Sequence, residues 1–408
     1  MTSKSLRCCL ALLFAAALLA AVAPAWACPF CSMQGQTLIG DVNQASMVLY
    51  GTFANAKLDG SGDGQGTTEL HIDAVIKKHD ILGDKKVIIV PRYVPTDKDN
   101  KTKFLVFCDV FKGKIDPYRG VPVQADSDMV KYLEGALAVK DKPIGERLRF
   151  YFDFLDNKEV EIANDAYKEF ANADYKDYRD MAKKLPGDKI AGWLADPNTA
   201  AFRYGLYASM LGHCGTAKHG QLLRQMLDDP QKRVTSGLDG ILAGYAMLEP
   251  KEGWSYIAGL LKDPSREFTL RYAALNAARF FWNSRPDLVP KKDLAAGVSQ
   301  LLGQSDISDL AIEDLRKWSC WDYWPAVQEL ASKKSHDIPI IRRAILRFAL
   351  SCPDAKAAAY VDQCRKRDAE GVKDAEELLK LEISTLKPEL ANKPPPTATP
   401  ASSPPANK

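Results

Sequence analysis

Three strings along the chain share one pattern: "WLADPNTAAFRYGLYASML", "MLDDPQKRVTSGLDGILAGY" and "LLKDPSREFTLRYAAL". Their Asp-Pro pairs stand at 196–197, 229–230 and 263–264, so the unit recurs after 33 and then 34 residues. Weaker echoes follow in "LLGQSDISDLAIEDLRKW" and "LASKKSHDIPIIRRAILRFAL". Self-similarity at this period constrains the fold strongly, because one helix pair cannot cover its own apolar face and must stack on its neighbours. The pattern predicts an α-solenoid over residues 186–384. Leucines close the first helix, Asp-Pro makes the turn, and proline pre-sets the backbone for the second helix. Within the second helices, Phe268, Tyr272, Leu275, Ala278 and Trp282 form one expected apolar stripe, and Ile341, Ile345, Phe348 and Cys352 form another.

Residues 28–125 read differently. "SMVLYGTFANAK", "TTELHIDAVIKK", "KKVIIVPRY" and "KFLVFCDVF" are β-rich runs separated by polar loops. In the second, Thr68, Leu70, Ile72, Ala74 and Ile76 alternate with Glu69, His71, Asp73 and Lys77, the period of a half-buried strand. Five strands at most, with no helical repeat between them, predict a small antiparallel β-barrel or sandwich. Residues 126–185 form a helical connecting segment. Its "NDAYKEFANADYKDYRDMAKKL" stretch reads as a solvated helix with salt pairs. Residues 385–408 are rich in proline, alanine and serine, which predicts a disordered tail.

Both halves resemble known families. The helical repeats are similar to HEAT-like repeats in their turn and in an arginine early in the second helix (Arg203, Arg271, Arg342), at a period shorter than usual. The first half carries a cysteine pair at residues 28 and 31, "DVNQASMVLYGTF", the "TTELHIDAVIKK" strand and the "KFLVFCDV" strand. In this it resembles the netrin-like, OB-type fold of tissue inhibitors of metalloproteinases. That resemblance implies an antiparallel barrel and a mature N-terminal cysteine whose amine and carbonyl grip the zinc of a target protease. Such a wedge needs Cys28 pinned by a disulfide, and Cys108 offers a partner, so Cys28 or Cys31 is expected to bridge to Cys108. The chain departs from the family in having Cys28-Pro29-Phe30-Cys31 where the inhibitors have Cys-x-Cys and many disulfides.

Residues 1–27 have the marks of an export signal: Lys4 and Arg7, an apolar run from Cys8 to Ala23, and Ala25-Trp26-Ala27 before a cut. Cleavage there makes Cys28 the first mature residue and leaves no transmembrane segment. Bulky Trp26 disfavours a lipid anchor at Cys28. Cleavage removes Lys4 and Arg7 and so lowers the formal charge from +3 to +1, since the leader carries no acid, and a near-neutral chain gives no ground for nucleic-acid binding.

Four uses of Cys28 and Cys31 compete. Haem attachment would need histidine where Ser32 stands. Thioredoxin-like redox chemistry belongs on a strand-helix unit that this chain end lacks. A zinc site would draw on Cys108, His71 and His79 at no recognisable spacing. A structural disulfide is the preferred reading. "LGHCGTAKHG" places His213, Cys214 and His219 together as weak metal-ligand candidates, although its glycines mark a helix end. Trp318, Trp321 and Trp324 are expected to pack between repeats, and Cys352 to be a buried thiol, with Cys320 as a candidate bridging partner. No catalytic motif or cofactor fingerprint is present. The sequence is read as an exported, non-enzymatic binding or scaffolding protein of the bacterial cell envelope, in the periplasm or outside the cell, with a protein partner on the solenoid. Two alternatives stand beside it: a metalloprotease inhibitor acting through Cys28, and a thiol-disulfide oxidoreductase using Cys28 and Cys31.

Overall fold

A computed structural model describes residues 28–31, 33–59, 65–96, 102–229 and 236–391. The expected leader, Pro230 of the second Asp-Pro pair and the stretch from residue 392 lie outside the described residues. The chain divides into two compact units, Met1–Ser255 with Asn283–Leu288, and Tyr256–Trp282 with Val289–Lys408. Among the described residues no helix is long and apolar enough to cross a membrane.

The first unit opens with helix α1 (Leu38–Gln44) and five strands: β1 (Met47–Leu58), β2 (Gly66–Lys77), β3 (Val87–Val90), β4 (Lys103–Phe111) and β5 (Lys114–Val123). They form one antiparallel sheet in the order β3-β2-β1-β4-β5. The alternation read in β2 holds, with Thr68, Leu70 and Ile76 buried and His71, Asp73 and Val75 exposed. β5 went unnamed in the sequence because its turn is Lys112-Gly113. Both residues have positive φ (49° and 73°), the conformation that two-residue hairpins require and that Asn-Gly signals more loudly. β1 is central, and its first half is buried on both faces. Met47, Leu49 and Phe53 join Leu70, Ile88, Val106 and Cys108 in the sheet's own core, while Val48, Leu105 and Phe107 are buried on the opposite face.

The sheet is open where a closed barrel was expected. β3 has four residues and ends at Pro91, and β5 contains Pro117 and Pro122, which cannot donate to a ladder. A short 3-10 turn, Asp80–Leu82, lies against β5 and contributes Leu82 to the core.

Helices α2 (Met129–Val139), α3 (Ile144–Phe152), α4 (Val160–Ala171) and α5 (Tyr175–Ala182) follow, and α2 packs on β2. The stretch read as a solvated helix is α4 and α5, and its tyrosines are core: Tyr167, Tyr175 and Tyr178 are buried. Lys183–Asp180 and Lys176–Asp174 are the expected exposed salt pairs. Periodicity could not separate these faces because tyrosine suits both. The unit continues with α6 (Gly187–Ala195), α7 (Tyr204–Cys214), α8 (Ala217–Asp228) and α9 (Leu238–Leu248).

The division between units falls within α10 (Pro250–Lys262). The second unit holds α11 (Phe268–Ser284) as far as Trp282, then α12 (Lys291–Ser299), α13 (Ser308–Lys317), α14 (Trp324–Leu330), α15 (Pro339–Ser351), α16 (Ala355–Arg367) and α17 (Ala369–Ala391). α17 therefore extends into the stretch expected as tail. Asp196 and Asp263 each follow a helix and accept the N–H two residues on, at 2.9 and 3.0 Å. Pro197 and Pro264 belong to these turns. Each stands four residues before the next helical turn instead of at its first position.

The stripe expected on α11 needs correction. Leu275 and Ala278 are buried, but Phe268 is 42% and Tyr272 38% exposed, and the covered face runs through Leu270, Ala274, Ala277 and Phe281. The α15 stripe is placed as expected, with Ile341, Ile345, Phe348 and Cys352 all buried.

Candidate functional site

Cys28-Pro29-Phe30-Cys31 forms a tight turn in which the Cys31 N–H donates to the Cys28 carbonyl at 3.3 Å. Proline at its second position pre-sets the turn. The two cysteines are joined to each other by a disulfide. Cys28 and Phe30 are buried, Pro29 is exposed and Cys31 is half-buried. The turn rests on a helix crossing: a Cβ at Gly205 of α7 would stand 2.4 Å from the Phe30 carbonyl oxygen. Gly205 also faces Gly237 and Gly240, and further along the same helices Gly244 touches the Ala208 backbone. These small residues let α7 and α9 approach backbone to backbone and leave the groove that receives Phe30.

The chain after Cys31 is tied to one face of α4. Gly35 and Asn172 exchange two hydrogen bonds of 3.1 and 2.8 Å, and Lys168 reaches the Gln36 carbonyl. Asp165 accepts from the N–H groups of Leu38 and Ile39 and from Tyr132 at 2.8 Å, so it caps the start of α1. Burial raises the pKa of Asp165 against the pull of those donors. At the other end of α1, the Lys77 ammonium of β2 donates to the carbonyls of Val42, Asn43 and Ala45.

The expected bridge to Cys108 is not formed. Cys108 is a free thiol at 0% exposure, paired with Met47 across β1 and β4 and pushed up to about 12 by burial. Its side chain belongs to the core of the sheet, whereas the cysteine turn docks on helices. Cys214, Cys320, Cys352 and Cys364 are also free, so the candidate bridge between Cys320 and Cys352 is absent too.

His213, Cys214 and His219 do not converge. His213 Nε2 lies 3.0 Å from the Tyr175 hydroxyl, and Arg285 bonds the same tyrosine while Asp287 holds the guanidinium at 2.9 Å. Burial, then Arg285, push the His213 imidazole down to about 4, so it is neutral and accepts the tyrosine's proton. Cys214 turns back to the Met210 carbonyl. His219 caps α8, accepting the Thr216 N–H at Nδ1 and leaving Nε2–H to donate to Asp188 at 3.0 Å. Among the described residues no three metal-ligating side chains cluster. An open depression of about 360 Å³ lies beside this cap, with Arg224, Tyr245, Glu249 and Glu252 on its walls.

In the second unit the three expected core tryptophans separate. Trp324 is fully buried and stacks on Phe348 at 6.1 Å, with Trp321 against the edge of the same ring. Trp318 instead stacks on Trp282 at 4.2 Å, both half-exposed, and the Lys291 ammonium lies 4.7 Å from the Trp282 ring. Phe268 and Tyr272 make a second parallel stack on the outside of α11 at 5.9 Å, with the Arg279 guanidinium beside it. Of the three early arginines, Arg203 and Arg271 are buried in hydrogen bonds, and Arg342 is exposed and pairs with Asp337.

Compared with known proteins, the chain matches no protein family, no curated protein and no solved structure.

Proposed function

We propose that this protein is an exported, non-enzymatic binding or scaffolding protein of the bacterial cell envelope, with its partner surface on the helical repeats. The observation that carries this is the Phe268–Tyr272 stack. Two large rings, 42% and 38% exposed, stand in parallel on a helix whose opposite face is covered, and exposed aromatic pairs suit a protein interface. In this reading the helix pairs form a HEAT-like α-solenoid. Arg271–Asp306, Arg279–Asp314 and Arg347–Glu382 support it, because each joins residues 35 apart, about one repeat. The sheet is read as an opened netrin-like or OB-type barrel, a reading supported by β1 lying between β2 and β4.

The test is affinity capture of cross-linked envelope proteins by the wild type and by a Phe268→Ala/Tyr272→Ala variant. A partner retained by the first and lost by the second is the expected result. Equal capture by both would overturn the role of this surface.

The Cys28–Cys31 bridge favours thiol-disulfide exchange as the second reading over protease inhibition. Inhibition needs the Cys28 amine and carbonyl accessible to a metal, and Cys28 is buried with its carbonyl accepting the Cys31 N–H. A thiolate attacking Cys31 sulfur would release Cys28 as thiolate. Stoichiometric oxidation of a dithiol by the purified protein, with the Cys28–Cys31 bridge reduced to two thiols in the exchange and the reaction lost in Cys31→Ser, would promote this reading to first place.

A further inference from the structure

We infer that the Trp282–Trp318 stack is the docking site of the chain's own proline-rich segment, residues 392–408. The inference goes beyond the binding surface proposed above, which lies at Phe268 and Tyr272.

The argument starts from the direction of the helices. Arg271–Asp306, Arg279–Asp314 and Trp282–Trp318 pair ascending residues of α11 with ascending residues of α13, so the two helices run parallel. The next second helix, α15, keeps the same offset. Glu313 pairs with Arg347, and His336 before α15 bonds the Leu302 carbonyl before α13. α17 continues the series. Its Glu382 binds Arg347 and also Arg316, while Arg365–Glu376 closes the antiparallel turn between α16 and α17. The C-terminal ends of α11, α13 and α15 therefore lie along one edge, and α17 passes that edge at Glu382 and runs on to Ala391. Trp282 and Trp318 stand on that edge, at the ends of α11 and α13. The backbone also fixes Trp318 there. Ser319 has φ 57°, and the N–H groups of Ser319 and Cys320 return to the carbonyls of Arg316 and Leu315, each at 2.9 Å.

The segment that leaves α17 beyond this edge has the composition such a stack takes. "PPPTATPASSPP" spans Pro394 to Pro405, and the whole stretch from 392 to 408 contains no acid and no large apolar side chain. Proline runs favour the extended polyproline helix, whose flat pyrrolidine rings dock on indole surfaces at little cost in conformational entropy. Trp282 is flanked by Trp318 and the Lys291 ammonium, so the half-exposed Trp318 is the ring left to take them. The reach is sufficient. At about 3.1 Å per residue the segment extends to about 50 Å. Passing two neighbouring helices from α17 to α13 requires about 20 Å. A tethered segment also acts at a millimolar effective concentration, which favours it over a free ligand of equal affinity.

The experiment is indole NMR of the full chain, with the Trp282 and Trp318 resonances assigned by Trp→Phe substitutions. It is compared with a chain ending at Ala391 and with a full-length Pro394→Ser/Pro395→Ser/Pro396→Ser variant. Both variants are expected to shift the Trp282 and Trp318 signals alone. Adding a synthetic peptide of residues 392–408 to the shortened chain is expected to restore them. Unchanged signals in both variants would overturn the inference, and so would a dependence on protein concentration, which would assign the contact to the tail of a second copy. A shift that appears only on adding chitooligosaccharide would likewise overturn it, in favour of an external glycan. None of these outcomes bears on capture through Phe268 and Tyr272, so the two proposals fail separately.

Discussion

His213 is held neutral between a tyrosine that donates to it and a guanidinium that repels its charged form. Its pKa is about 4 in the folded chain and 6.5 in the unfolded one, so between these values the unfolded state binds more protons. Stability from this site is complete above pH 6.5 and is lost as the pH falls through that window. The loss amounts to about 2–3 kcal/mol, allowing for its partial exposure. His213→Gln keeps an acceptor for Tyr175 and removes the titration. We therefore expect the stability gap between wild type and variant to shrink from pH 7 to pH 4.5 in urea melts. An unchanged gap would mean that the imidazole is not held neutral. Sequence reading singled out His213 and His219 for their proximity. The tyrosine bonded to His213 and the aspartate bonded to His219 stand 38 and 31 residues away, outside any local motif, whereas the cap that His219 makes with Thr216 is local and was legible as a threonine three residues before it.

At the scale of the element, legibility depended on how many sides of an element are covered. β2 and α15 each bury one face, so alternation and a four-residue stripe identified it. α11 is covered over a wide arc in which alanines at 273, 274, 277 and 278 are buried with Phe280 and Phe281, while Phe268 and Tyr272 stay at the rim. A reading weighted toward large side chains therefore centred the stripe on the wrong side, although it included Leu275. That residue has 0% exposure, and Leu275→Ala should cost about 2–5 kcal/mol. An unmoved denaturation midpoint would remove it from the core. The close packing of α7 on α9 was written in "GLYASMLG" and "GLDGILAG". There, small residues recur every three or four positions, the pattern that lets two helices approach backbone to backbone.

The parts of the first unit are joined by contacts that no local pattern encodes. Residues 28–45 touch α7 through Phe30, α4 through Asp165 and Asn172, and β2 through Lys77. Long-range docking of this kind leaves no periodicity, which is why the partner of Cys28 was misassigned while both classes of architecture were readable. Gly205 is the weakest point of the arrangement to perturb. A methyl there meets the Phe30 carbonyl at 2.4 Å and the Gly237 backbone at 3.2 Å, and neither can yield as a side chain would. Gly205→Ala should destabilise the first unit by about 1–3 kcal/mol. It should also expose residues 33–37 to protease before the helices unfold. Wild-type resistance in that segment would show that the turn does not hold it down.

The disulfide links residues three apart in sequence, and that short span has an entropic consequence. Closing so small a loop removes little freedom from the unfolded chain, worth about 2 kcal/mol, against about 4.5 kcal/mol for a loop reaching to Cys108. Mild reduction should therefore lower stability by about 2 kcal/mol while the far-ultraviolet circular dichroism spectrum stays unchanged. Global collapse on reduction would contradict it. A fold so weakly dependent on this cross-link can be reached with the thiols reduced or oxidised, so folding and oxidation need not occur in a fixed order.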